Sequence, residues 1–98
     1  MMKTFRSYQL VKQLYLETKK TDLRGELKDQ LHRAALSVCL NLSEGCDRGT
    51  TKDRRRFYTI ALSSLREVQA VIDLEAIASL YAMADKLGAY LYNLVHAI

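Results

Sequence analysis

The sequence predicts an all-α fold, an up-down-up-down four-helix bundle formed as a single domain over residues 1–98. The chain has no proline and only four glycines, whereas a β-sandwich or β-barrel needs a turn about every eight to twelve residues. Apolar residues recur at helical spacing along four segments. The length of 98 residues is that of one domain.

The first two predicted helices run from about Phe5 to Lys20 and from about Gly25 to Glu44. Thr21 or Asp22 is expected to cap the second helix, and Gly45 is expected to end it. The apolar stripe of the second helix comprises Leu27, Leu31, Ala34, Ala35, Val38 and Leu42. This stripe is predicted to face the core of the bundle.

The third predicted helix runs from about Lys52 to Ile77, with Thr50 or Thr51 as its N-cap. Its main stripe comprises Phe57, Ile60, Ala61, Ser64, Leu65, Val68 and Ile72. The fourth helix shows a seam of Leu80, Met83, Ala84, Leu87, Leu91, Leu94, Val95 and Ile98. A change of helical phase near Ala78–Ser79 separates the two, with Ser79 as a cap. One long bent helix in this region is the alternative.

The second helix is predicted to form a subunit interface. It carries no charge for ten residues after Arg33, and Leu36, Cys39 and Leu40 lie away from its core stripe. A helix that is apolar nearly all round is buried nearly all round, and three other short helices cannot cover every side of it. On the fourth helix, four ring side chains off the seam are expected to pack at an oligomer interface, with base stacking as the alternative: Tyr81, Tyr90, Tyr92 and His96.

The net charge of +4 is concentrated in residues 1–20 and 47–56. From these segments we predict a nucleic-acid contact through Arg48, Lys52, Arg54, Arg55, Arg56, Lys12, Lys19 and Lys20. Three consecutive arginines on a helix spread over about 200°, so one of them is expected to pack inward. Cations are unfavourable in the first turns of a helix, but phosphate is favourable there. A solvated basic patch that only maintains solubility is the alternative.

Three charged residues, Arg33, Glu44 and Glu67, occur in or beside apolar helical stretches. Buried charges persist in proteins when they are paired. We therefore predict that these three form a structural charge cluster, or ions at the margin of a subunit interface. A polar functional site inside the bundle is the other interpretation.

No pattern for catalysis, a metal or a cofactor is found, so a non-enzymatic protein is predicted. His32, His96, Cys39 and Cys46 lack the spacing of metal ligands. Cys46 lies beside Arg48, which would lower its pKa, but no histidine lies near it in the sequence. The chain shows neither the apolar region of a secretory signal nor a membrane-spanning stretch. We expect a cytoplasmic protein with reduced thiols and no membrane partner.

Two segments resemble the signature of a known family. The segment from Gln30 to Val38, followed by Asn41 to Gly45, resembles the pattern Q-x-x-R-A-A-x-S-I-x-x-N-I-A-E-G of bacterial four-helix-bundle proteins encoded in intervening sequences of large-subunit ribosomal RNA genes. Arg48 and the segment from Phe57 to Glu67 resemble a second motif of that family. Ser63 stands where the family usually has glycine.

The resemblance implies a homopentameric ring with basic surfaces. The same family includes Avd, the accessory protein of diversity-generating retroelements, which binds nucleic acid and a reverse transcriptase. The expected partners are therefore further copies of the chain, RNA or DNA contacted through phosphates, and a reverse transcriptase. The alternative function is that of a protein-interaction scaffold with no nucleic-acid role.

Overall fold

The computed structural model describes the backbone of residues 2–97 and the side chains of residues 6–97. The described chain forms four α-helices and one 3₁₀ turn: α1 (Met2–Thr18), α2 (Gly25–Cys46), α3 (Thr51–Leu74), the turn (Ala78–Leu80) and α4 (Tyr81–His96). The side chain of Phe5 and the whole of Ile98, at the ends of the predicted helices, lie outside the described residues.

Short connections make neighbouring helices antiparallel. In the bundle α1 packs on α2, α2 on α3, α3 on α4, and α4 closes the ring on α1. The molecule is elongated, with extents of 40 × 22 × 18 Å. The predicted four-helix bundle is confirmed, and α3 and α4 are separate helices.

The core is a column of aliphatic side chains from all four helices. Fully buried members are Val11, Leu14, Leu31, Val38, Leu42, Leu65, Val68, Leu87 and Leu91. Two residues of the predicted core stripes are instead exposed, Leu27 by 36% and Ile60 by 41%. Ile60 lies at the edge of its stripe, where a helix packed on two neighbours turns its flank to solvent. Leu27 lies in the first turn of α2.

The start of α2 differs from the prediction. The N-cap position is Arg24, which makes no side-chain capping bond, and Gly25 adopts a left-handed φ of 63°. The predicted cap Thr21 is engaged elsewhere, because its hydroxyl donates to the carbonyl of Thr18 at 2.9 Å and closes the end of α1. The prediction that Thr21 or Asp22 caps α2 is therefore wrong.

Gly45 does not end α2, which continues to Cys46. Its absent side chain is needed for packing: a Cβ at this position would lie 2.5 Å from Cε1 of Tyr58, a buried residue of α3. Gly45 thus allows α2 and α3 to approach closely at the end of the bundle where they are connected.

The break between α3 and α4 is made by the backbone of Ala76, at a left-handed φ of 53°. The amide of Ile77 donates to the carbonyl of Ile72 at 2.9 Å, and the amide of Ala76 donates to Asp73 at 3.2 Å. This is the Schellman arrangement that ends many helices. The predicted cap Ser79 lies within the 3₁₀ turn, and the N-cap position of α4 is Leu80.

The Gly45 contact predicts the effect of two glycine substitutions. Gly45→Ala should lower the free energy of unfolding by about 1–3 kcal/mol, because the buried Tyr58 ring must move to admit a methyl group. Gly49→Ala is the control, since no atom lies within 4 Å of a Cβ at that position. Chemical denaturation of both variants measures the difference, and equal stabilities would contradict the close approach.

Candidate nucleic-acid interface

The connection between α2 and α3 is short and well defined. The hydroxyl oxygen of Thr50 accepts a hydrogen bond from the amide of Asp53 at 3.1 Å and caps α3, as predicted. Because α3 begins at Thr51, the basic residues 52–56 occupy its first two turns. The helix N-terminus adds positive potential to these side chains.

Arg48 and Arg54 hold this connection together. An Nη atom of Arg48 lies 2.7 Å from a carboxylate oxygen of Glu44, one turn earlier in the chain. The guanidinium of Arg54 donates to the carbonyl of Arg48 at 2.9 Å. Arg54 is half-buried and is the one member of the arginine triplet that turns toward the protein.

Lys52, Arg55 and Arg56 extend into solvent. All three are exposed, and among the described side chains none of them has a hydrogen-bond or ion-pair partner. The guanidinium of Arg56 lies over the ring of Phe57, 4.7 Å from its centroid. These three cations are therefore available to an external anion.

The lysines predicted for the same surface do not join it. Lys19 and Lys20 follow α1, whereas the arginines lie at the far end of α2, whose 22 residues span about 33 Å. Lys20 pairs with Glu17 at 3.2 Å, and the ammonium of Lys19 lies over the Tyr15 ring. Lys12 is exposed on α1.

The two ends of the bundle differ in charge. Residues 44–56 at the α2–α3 end contain five basic and three acidic side chains. At the opposite end, residues 17–26 and 73–75 together contain three basic and five acidic side chains. The acidic end has a cavity of about 410 Å³ whose lining includes Glu17, Asp22 and Glu75. The α2–α3 end therefore carries net positive charge in these segments, and the opposite end carries net negative charge.

The predicted charge cluster of Arg33, Glu44 and Glu67 is not assembled. Arg33 and Glu67 line one cavity of about 270 Å³ between α2 and α3, where the hydroxyls of Ser37 and Ser64 are hydrogen-bonded at 2.7 Å. Glu44 lies 11 residues from Arg33, about 16 Å along α2, and pairs with Arg48. All three charged residues are exposed, so none requires a buried partner.

The outer face of α2 contains two of the three residues predicted there. Leu36 and Leu40 are exposed by 40% and 57%, whereas Cys39 is 8% exposed and belongs to the core. Cys39 is one residue C-terminal of the buried Val38, which places it on the flank that faces the core. The hydrogen bond between Ser37 and Ser64 fixes the register of the antiparallel helices α2 and α3. Leu40 lies about one turn after Ser37, and Ile60 lies about one turn before Ser64, so Leu40 and Ile60 are at the same level of the bundle.

We name the exposed side chains Leu36, Leu40 and Ile60 the α2–α3 apolar patch. Two further exposed rings lie on α4: Tyr81, and Tyr92, whose ring stacks on His96 with centroids 4.0 Å apart. The periodicity of α3 had assigned Ile60 to the core. Only the packing of α2 against α3 shows that this residue extends the outer face of α2.

Neither cysteine has the lowered pKa of an activated thiol. Burial raises the pKa of the Cys39 thiol to about 11. Burial also raises the pKa of the Cys46 thiol, a hydrogen bond with Tyr58 opposes that rise, and the Asp47 carboxylate adds to it. The lowering expected from Arg48 is therefore not found. Within the described side chains no group of three or more His, Cys, Asp or Glu residues could hold a metal ion.

None of the helices within residues 2–97 is long and apolar enough to cross a membrane. The fold and the site define a small helical-bundle protein with one basic end. A family model for 23S rRNA-intervening sequence proteins matches residues 4–94, and the chain belongs to this family. No curated protein and no solved structure is significantly similar to the chain.

The contrast between Arg54 and Arg55 predicts a difference in stability. Both residues lie in the first two turns of α3, so replacing either one by glutamine relieves the same unfavourable interaction with the helix dipole. Only Arg54→Gln also removes the bond to the Arg48 carbonyl. The Arg54→Gln variant should be less stable than Arg55→Gln by about 1 kcal/mol. Equal unfolding midpoints in urea would show that Arg54 does not hold the connection.

Proposed function

We propose that this protein is a non-enzymatic, homo-oligomeric protein that binds RNA or DNA through phosphates, using the α2–α3 end of its bundle. One observation carries the proposal: Lys52, Arg55 and Arg56 lie together on the first turns of α3, exposed and without partners among the described side chains. Membership of a family of rRNA intervening-sequence proteins is compatible with this function.

Phosphate is the group that suits these side chains best. Lysine and arginine offer only hydrogen-bond donors, and the N-terminus of α3 adds the partial positive charge of its unpaired amides. Each cation there opposes the helix dipole by about 0.3–1 kcal/mol, so Lys52, Arg55 and Arg56 do not stabilise the helix. Contacts of this kind fix position and not sequence, so we expect weak sequence specificity and a steep dependence on salt.

The assembly we propose is the homopentameric ring that the family resemblance implies. The α2–α3 apolar patch supports self-association, because three large aliphatic side chains on one face of a 98-residue protein remain exposed. Five chains of net charge +4 carry +20. A ring of parallel subunits would place five basic ends on one face and five acidic ends on the other.

A reverse transcriptase is the protein partner that we propose, and its support is the resemblance to Avd. The gene neighbourhood tests this part separately. A reverse transcriptase gene with template and variable repeats beside this gene would support it. A neighbourhood without any reverse transcriptase would remove its support and leave the nucleic-acid function in place.

Two double variants test the binding surface. Lys52→Gln combined with Arg55→Gln should weaken binding to RNA or DNA and make the slope of log K against log salt shallower by about 1.4–1.8 units. The control, Lys19→Gln combined with Lys20→Gln, removes the same charge from the opposite end and should leave the slope unchanged. Filter binding at several salt concentrations gives these slopes.

Equal losses in the two double variants would mean that total charge and not the α2–α3 end governs binding. If the wild-type protein binds no nucleic acid even at low salt, the proposed function fails. In that case the scaffold alternative, in which the basic end docks an acidic protein, would be favoured.

The apolar patch gives a prediction about oligomeric state. Leu40→Glu should convert the oligomer to a monomer, because a carboxylate would be buried without a partner at the subunit interface. Leu74→Glu is the control, since Leu74 is 77% exposed and lies at the other end of the bundle. Sedimentation equilibrium measures both masses. An unchanged mass for Leu40→Glu would exclude this face as the interface.

A further inference from the structure

We propose that Arg56, placed over the ring of Phe57, is a stacking platform for an unpaired base, so that the basic end of the bundle prefers single-stranded to double-stranded nucleic acid. The inference rests on the proposed function. It adds the class of nucleic acid and the residue that selects it.

Arg48 and Arg56 both contact the ring of Phe57, but their other contacts give them different roles, which the sequence alone does not show. The guanidinium carbons of Arg48 and Arg56 both lie 4.7 Å from the centroid of the Phe57 ring. Arg48 is half-buried, is paired with Glu44, and accepts through its carbonyl the bond from Arg54. Arg48 is therefore committed to holding the connection between α2 and α3.

Arg56 is in the opposite situation. Its side chain is exposed and contacts the Phe57 ring. Among the described residues it has no hydrogen-bond or ion-pair partner. The ring attracts the cation and restricts its rotamers, so part of the entropy that a free arginine would lose on binding is already lost. All its N–H donors and the part of the guanidinium that faces away from the ring remain available.

A planar guanidinium can do what an ammonium cannot. It stacks on aromatic and heteroaromatic faces while its edge donates to phosphate, whereas lysine acts as a compact point charge. The bases of single strands expose their faces and stack on aromatic side chains or guanidinium planes. In a duplex the base faces are covered by neighbouring base pairs, so the same arginine would reach only phosphates and base edges, to which lysine also donates.

The neighbours of Arg56 complete a site for one strand. Lys52 is four residues before Arg56 on α3, which is about one turn and a rise of about 6 Å. Arg55 is exposed beside it. The three side chains therefore offer one plane for a base and two cations for the phosphates that flank it.

The test compares Arg56→Lys with the matched control Arg55→Lys, because each variant keeps its positive charge and loses one guanidinium plane. The probes are a labelled oligonucleotide and its blunt duplex of the same length, titrated at one salt concentration. The wild-type protein should bind the single strand more tightly. Arg56→Lys should weaken single-strand binding by about fivefold or more and change duplex binding by less than about twofold.

Arg55→Lys should change both affinities by less than about twofold, because Arg55 is expected to act as a charge. Phe57→Leu, verified as folded by circular dichroism, should reproduce the Arg56→Lys result, since it removes the ring that places the guanidinium. Equal effects of the two lysine variants on single-strand binding would overturn the platform, as would equal wild-type affinities for strand and duplex. Either result leaves the proposed function intact, whereas no binding to either probe overturns both.

Discussion

The close approach of α2 and α3 at Gly45 and Tyr58 is the contact on which the basic end depends. Because Gly45 has no Cβ, the ring of Tyr58 can occupy the space that a Cβ would need. The helix α2 can therefore continue to Cys46 while it packs against the second turn of α3. Only four residues then remain for the connection. Because the chain reverses so tightly, the basic residues from Arg48 to Arg56 are confined to one end of an elongated molecule.

Confinement of that much positive charge at a helix N-terminus is unfavourable, and the local bonds compensate for it. The Thr50 hydroxyl caps α3, the Glu44 carboxylate neutralises Arg48, and the Arg48 carbonyl accepts from Arg54. These bonds use Arg48 and Arg54, whose side chains turn toward the connection. Lys52, Arg55 and Arg56 have no hydrogen-bond or ion-pair partner among the side chains of residues 6–97, so the interactions that stabilise the turn also determine which side chains stay available to a ligand.

Periodicity and caps predicted the four helices, the Thr50 cap and the separation of α3 from α4, because each depends on local spacing. The remaining features depend on contacts between distant residues. Ala76 adopts a left-handed conformation that costs a non-glycine residue about 1 kcal/mol. An alanine in the sequence gives no indication that it will adopt this conformation. Cys39 was predicted to lie on the outer face of α2, but it is buried. The width of the buried face of α2 depends on how α1 and α3 pack on either side of this helix, and the sequence of α2 alone does not show this. For the candidate site, the triplet of arginines was found from the sequence. What the sequence did not show is which arginine is bonded to the connection (Arg54) and which has no partner among the described side chains (Arg55).

The same limitation explains why Lys19 and Lys20 were grouped with the arginines. In an up-down bundle, successive connections lie at opposite ends of the molecule. A count of charges along the sequence does not take this alternation into account. Here the alternation separates an acidic end from a basic one, so the net charge of +4 understates the local potential that a polyanion would meet at the α2–α3 end. Electrostatic attraction at physiological salt decays over about 8 Å, which is short compared with the 40 Å length of the molecule. If the protein binds nucleic acid as proposed, the polyanion would be attracted by one end and repelled by the other. This would orient the protein on its ligand before any specific contact forms.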